Sequence, residues 1–95
     1  MTGTTRSSDG LDARRRKLLF RSWHRGMREM DLILGSFADA RIADLTSAEL
    51  DQYEALLDIS DTVLLPWATG EQPIPDGNEI LKKIVAFRQA MTFQS

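Results

Sequence analysis

Arg25-Gly26-Met27-Arg28-Glu29 interrupts what would otherwise be one helical stretch from Asp12 to Arg41. Glycine costs about 1 kcal/mol against alanine inside a helix, yet it is favoured just past a helix end. A helix is therefore predicted to end or bend at Gly26. Charges stand on both sides of that glycine, at positions a core has no use for.

On the N-terminal side, a first helix is predicted from about Asp12 to His24, capped by Asp9 or Asp12. Leu11, Leu18, Leu19 and Trp23 share one broad side, and Phe20 extends it. Arg14, Lys17, Arg21 and Arg25 form a basic stripe on the other side. Such a stripe is either a solvated face or a docking face for something anionic.

On the C-terminal side, a second helix is predicted from Met27 to Arg41. Met30, Ile33, Leu34 and Phe37 recur at i, i+3, i+4 and i+7, the spacing of a core stripe. Gly35 lies off that stripe, where it either permits close packing or weakens the helix. Leu32 faces away from the stripe, on the side of Glu29, Ser36 and, if the helices are nearly continuous, Arg25. A lone exposed leucine means little. One flanked by Arg25 and Glu29 is a candidate partner contact.

Farther along, Thr46 and Glu49 have the spacing of a capping box, with Leu45 and Leu50 as its hydrophobic staple. The third helix then runs to about Asp58, burying Leu50, Tyr53 and Leu57 with Leu56 beside them. Asp61 can cap a short fourth helix containing Val63, Leu64, Leu65 and Trp67, which Gly70 can end. Pro66 opposes a helix begun at Asp61, because its ring meets the carbonyl of Thr62. The helix begins later or kinks there. Pro73 and Pro75 keep Glu71 to Pro75 a loop. Asp76-Gly77-Asn78-Glu79 offers a second capping box. A fifth helix reaches about Thr92, with Ile80, Ile84, Phe87 and Met91 on one side, plus Leu81 and Val85. No β-alternation occurs anywhere. The fold class is all-α, a small single-domain bundle of five short helices over residues 11–95, preceded by a disordered tail over residues 1–10 that is rich in Thr, Ser and Gly.

The bulk properties limit the function. A chain of 95 residues is one domain with one modest core. The net charge of −2 is polarised. Residues 1–28 carry eight bases against two acids, residues 29–79 one base against twelve acids, and residues 80–95 three bases. Such a chain pairs internally or steers onto a charged partner. The absence of cysteine excludes disulfides, thiolate metal sites and a Cys nucleophile, and fits a reducing compartment. No apolar run reaches the roughly 20 residues of a membrane span, and no secretory h-region follows the N-terminus.

Catalytic signals are missing. His24 has no ligand set around it and reads as a helix-end residue facing the C-terminal dipole. The six glycines are scattered singly, without a phosphate-cradling loop. Asp39, Asp44, Asp51, Glu54, Asp58 and Asp61 fall mostly on helix exteriors or caps. No nucleophile–base pair is discernible, so an enzyme is not expected. Arg14-Arg15-Arg16-Lys17 suggests nucleic acid, but the acidic remainder argues against it.

The stretch from Leu18 to Ala38, with Arg25, Gly26 and Glu29 forming an R-G-x-x-E motif, resembles the flavinylation factors of succinate dehydrogenase. These are the SdhE family of bacteria, called succinate dehydrogenase assembly factor 2 in mitochondria. The resemblance continues through the acidic third helix, Trp67-Ala68, the proline-containing loop and the last helix, over roughly residues 14–91. Pro66 departs from it.

The resemblance implies a five-helix bundle that is not an enzyme. It implies binding to the flavoprotein subunit of succinate dehydrogenase and, in some bacteria, of fumarate reductase. Covalent attachment of FAD to a histidine of that subunit is promoted. Arg25, Gly26, Met27, Arg28, Glu29, Leu32 and Trp67 become the partner-binding residues, with Arg25 and Glu29 as contacting charges and Gly26 letting the two backbones approach. FAD is carried by the partner, and none is expected to bind tightly here. A monomer is expected, in the bacterial cytoplasm or, for a eukaryotic source, the mitochondrial matrix, with no nucleic-acid partner and no membrane insertion. The alternative is a helical adaptor that binds an acidic protein or nucleic acid through its basic first helix.

Overall fold

Asp12 opens the first helix. Its carboxylate accepts the Arg15 backbone N–H at 2.8 Å, and that bond holds the Asp12 carboxyl below its ordinary range. A computed structural model describes the backbone of residues 10–94 and the side chains of residues 10–90. Residues 1–9 of the expected tail and the side chain of Met91 lie outside them. Five α-helices follow one another among the described residues: α1 (Ala13–Trp23), α2 (Arg28–Arg41), α3 (Ser47–Leu57), α4 (Asp61–Ala68) and α5 (Glu79–Gln94). A 3₁₀ turn, Ile42–Asp44, joins α2 to α3, and no strand occurs among the described residues.

The capping box before α3 forms as its spacing requires. Thr46 Oγ1 accepts from the Glu49 N–H at 3.1 Å, and Glu49 Oε1 accepts from the Thr46 N–H at 2.9 Å. Leu45 and Leu50 are both buried beside it. The cap of α5 differs from the expected box. Asn78, not Asp76, accepts from the Leu81 N–H at 3.2 Å, and Glu79 pairs instead with Lys82. α4 does begin at Asp61 and runs through Pro66, but Ser60 takes the N-cap position. Asp61 is thereby free to use its carboxylate elsewhere. Gly70, at φ +85°, ends α4 in the left-handed conformation expected of it.

The core draws on every helix: Leu18, Leu19 and Trp23 from α1, Met30, Ile33, Leu34 and Phe37 from α2, and Tyr53, Leu64 and Ile84 from the others. Phe20 departs from expectation at 62% exposure. At 3.6 residues per turn it lies about 60° beyond Trp23, outside the buried arc. Its ring stacks on His24 instead, with centroids 3.9 Å apart. Ser22 lies at the centre of that arc and is fully buried. It donates to Leu18 O at 2.7 Å, which leaves the Tyr53 hydroxyl as donor to Ser22 Oγ at 2.5 Å, with Leu34 O a longer second acceptor at 3.3 Å.

Burial pushes the Tyr53 phenol well above its usual value, because the charged form would lose its water. A raised folded-state value favours the folded protein below the unfolded value of about 10 and is lost as pH rises beyond it. Tyr53 is the single tyrosine of the chain, so tyrosinate absorbance reports on it alone. Absorbance should stay flat past that pH and then rise together with loss of helical circular dichroism. Ionisation at an ordinary value with helicity intact would contradict this burial.

The polarised charge is spent inside the chain. Arg14 bonds Asp51 at 2.6 Å and Glu54 at 2.9 Å, Arg21 bonds Asp58 at 2.9 Å, and Arg25 bonds Asp61 at 2.9 Å. The near-constant offset along the chain means that α1 runs parallel to the α3–α4 segment, basic face to acidic face. Arg15 ties the same helix to the 3₁₀ turn through Ile42 O at 2.9 Å and Leu45 O at 2.6 Å. The expected docking stripe therefore has three of its four cations engaged within the molecule.

Candidate functional site

His24 ends α1. Its Nδ1 lies 2.7 Å from Phe20 O, one of the carbonyls a helix end leaves open, so the residue acts as the helix-end group it was expected to be. The chain then turns through Arg25, Gly26 and Met27 into α2, folding α2 back against α1. Gly26 makes this possible at φ +95°, a backbone state that side chains with a Cβ rarely adopt. A Cβ placed there would meet nothing within 4 Å. Within this chain the glycine is required by the turn, and it lies on open surface.

Arg25 differs most from its expected place. Its side chain is only 10% exposed and points inward. Nε donates to Asp61 Oδ1 at 2.9 Å, Nη2 donates to Ile59 O at 2.6 Å, and Nη1 donates to Leu57 O. Leu57 and Ile59 sit where α3 runs out, and their carbonyls have no partner from a further helical turn. One guanidinium thus closes the end of α3, crosses the corner and holds the start of α4. Its own backbone N–H donates to Asp31 Oδ1 at 2.6 Å, across the first turn of α2. Phase along α1 could not reveal this, because the partners lie on other helices.

Glu29 and Arg28 stand exposed on the first turn of α2. Neither has a hydrogen-bond or ion-pair partner among the described residues. Leu32 is 48% exposed, as expected of a residue off the core stripe. Residues three and four apart on a helix are neighbours, so Leu32 adjoins both Glu29 and Arg28. Glu29 also lies at the positive end of the α2 dipole, where its charge is favoured. Met27 caps α2 by position and packs partly against the core. Trp67 is half-buried against the core on α4, and no hydrogen bond among the described residues joins it to the turn. The structure gathers Gly26, Arg28, Glu29 and Leu32 on one outward edge, turns Arg25 inward, and leaves Trp67 on a separate element.

Two residues that hold the turn, Asp31 and Asp61, were not singled out for this from the sequence. Local spacing marks Asp61 only as a helix cap and gives Asp31 no signal. Among the described residues no group of three or more His, Asp or Glu could hold a metal ion, and no helix is long and apolar enough to cross a membrane.

The family model described as "Flavinator of succinate dehydrogenase" matches residues 16–88, which takes in most of α1, the turn, α2 and Trp67. Among curated relatives, the "FAD assembly factor SdhE" of Acetobacter pasteurianus is 40% identical over 70 residues, covering 74% of this chain and 64% of the relative. "Succinate dehydrogenase assembly factor 2, mitochondrial" of Candida glabrata is 36% identical over 90 residues, with 88% and 59% covered. The like-named protein of Saccharomyces cerevisiae is 32% identical over 90 residues, with 88% and 56% covered. The chain thus spans roughly three-fifths of the length of the relatives it matches. The extent of the family match, on a five-helix fold built around the Gly26 turn, makes this chain a member of the flavinator of succinate dehydrogenase family.

Proposed function

We propose that this protein is an assembly factor that binds the flavoprotein subunit of succinate dehydrogenase and promotes covalent attachment of FAD to it. The observation that carries the reading is the outward edge of Gly26, Arg28, Glu29 and Leu32, exposed in a chain of this family. A free carboxylate and an exposed leucine on a rigid helix start suit a protein contact with a charged rim and an apolar centre. The protein acts as a monomer and without catalytic groups of its own. FAD is carried by the partner, and this chain positions the partner rather than the flavin. Met27 and Trp67 contribute through the parts they leave exposed. Action takes place in the bacterial cytoplasm or the mitochondrial matrix, wherever the flavoprotein matures.

The adaptor alternative is less favoured. Arg14, Arg21 and Arg25 are engaged by Asp51, Glu54, Asp58 and Asp61, so the stripe is not a free anion-binding face.

The test uses the flavoprotein subunit produced without its own assembly factor, with covalent flavin read by in-gel fluorescence. Adding this protein should raise the covalent flavin. Glu29→Ala and Leu32→Ala should each lose most of that gain. Their stability should stay within about 0.5 kcal/mol of the parent, since both side chains are exposed. Full activity in both variants would remove this edge as the docking site.

A further inference from the structure

We infer that Arg25 is a positioning residue and not a contacting charge, and that Asp61 and Asp31 work through it to set the direction in which Gly26, Glu29 and Leu32 face the partner. The inference rests on the proposed docking edge and goes beyond it by naming what aims that edge.

The geometry divides the motif into two functions. Arg25 spends three guanidinium nitrogens within the chain, on Asp61, Leu57 O and Ile59 O. Its amide is held by Asp31. The side chains of Arg25 and Asp61 are 10% and 15% exposed, leaving little surface to offer a partner. Gly26 follows immediately, in a conformation that reverses the chain. A glycine at a turn is a soft joint, because its backbone admits more states than any other residue. With Arg25 fixed on both its backbone and its side chain, the joint is clamped on its upstream side. Asp31, on the first turn of α2, clamps it from the downstream side. The edge is then presented in one orientation, and a partner that needs that orientation loses less freedom on binding.

The clamp also joins distant parts of the chain. Asp61 begins α4 and lies 36 residues from Arg25. A change at Asp61 should therefore reach the docking edge although Asp61 offers that edge no surface. A residue that touched the partner independently would not behave so.

A double-mutant cycle distinguishes the two. Arg25→Ala, Asp61→Ala and the double variant would be titrated against the cognate flavoprotein subunit lacking covalent flavin, at a temperature where circular dichroism shows all of them folded. Each single variant should bind about tenfold more weakly, or 1.4 kcal/mol. The double should bind no more weakly than the weaker single. Ile84→Val, which loosens the core on α5, should keep the parent affinity. Losses that multiply in the double would make Arg25 a contact in its own right and overturn the inference. An equal loss in Ile84→Val would overturn it too, by reducing the effect to general stability.

Amide hydrogen exchange of the unbound protein gives a second reading that needs no partner. Asp61→Ala and Asp31→Ala should each speed exchange at the Arg25 amide while leaving Leu50 to Tyr53 of α3 protected. Unchanged exchange at Arg25 would refute the clamp. Parent-like binding by Glu29→Ala, with the exchange result as expected, would instead fault the docking edge and leave the clamp standing.

Discussion

Replacing Gly35 with alanine is expected to destabilise the protein by about 3 kcal/mol, a large share of what a domain of this size possesses. Two effects compete. Alanine is the better helix former, by about 1 kcal/mol, and Gly35 lies in the middle of α2. Against this, a Cβ at Gly35 would lie within 2.6 Å of three ring carbons of Trp23. That is far inside van der Waals contact, and the obstacle is the body of an indole rather than the end of a flexible chain. Trp23 is buried, with Nε1 3.4 Å from Asp39, so the ring has little room to withdraw. α2 is equally constrained, because Leu34 and Phe37 on its other face are packed in the core. Packing therefore outweighs propensity. Urea unfolding followed by tryptophan fluorescence would measure the loss, and adding Trp23→Leu to the variant should recover part of it. A neutral or stabilised Gly35→Ala would show that α1 and α2 are not packed in this manner.

Arg25→Ala is expected to cost about 3 kcal/mol, and Arg14→Ala far less, although both arginines form ion pairs with acids far along the chain. The environment makes the difference. The Arg14 pair is exposed, with its partner Asp51 largely in water. Water replaces such a pair at little loss, and salt screens it. Removing Arg25 leaves the mostly buried carboxylate of Asp61 without its ion-pair partner and strips Leu57 O and Ile59 O of a charged donor. An unsatisfied buried acceptor costs more than a net hydrogen bond contributes. Chemical denaturation of the two variants at low and high salt gives the comparison. Arg14→Ala should move toward the parent as salt rises, whereas Arg25→Ala should not. Equal losses would mean that the Arg25 network is no tighter than an ordinary surface bridge.

Elements with short-range rules were legible in the sequence. The Thr46–Glu49 box, the Met30–Phe37 stripe and the turn at Gly26 each depend on residues within one or two helical turns, so local spacing exposes them. Gly35 could be placed off the stripe, but its reason is a tryptophan on the preceding helix, visible only once the two helices are folded together. The inward turn of Arg25 is hidden for the same reason. Its phase put it on the flank of α1 that the apolar core does not use, and that flank turned out to face α3 and α4. A charged side chain excluded from the apolar core can still be buried if acids and helix-end carbonyls surround it. Asp61 reads as a helix cap because caps are local, while its ion pair reaches 36 residues back along the chain. The exposure of Glu29 and Leu32 was legible, since α2 begins at the turn and nothing among the described residues packs over its outer face.

The motif thus separates into an inner and an outer part. Arg25 belongs to the architecture, Gly26 to the joint, and Glu29 with Leu32 to the surface.

The most direct test is the covalent flavin content of the succinate dehydrogenase flavoprotein subunit matured with the parent protein and with Glu29→Ala. The parent should give strongly fluorescent flavoprotein and the variant little more than the control without the protein, both proteins being equally stable. Equal covalent flavin with and without the parent protein would contradict the account at its centre.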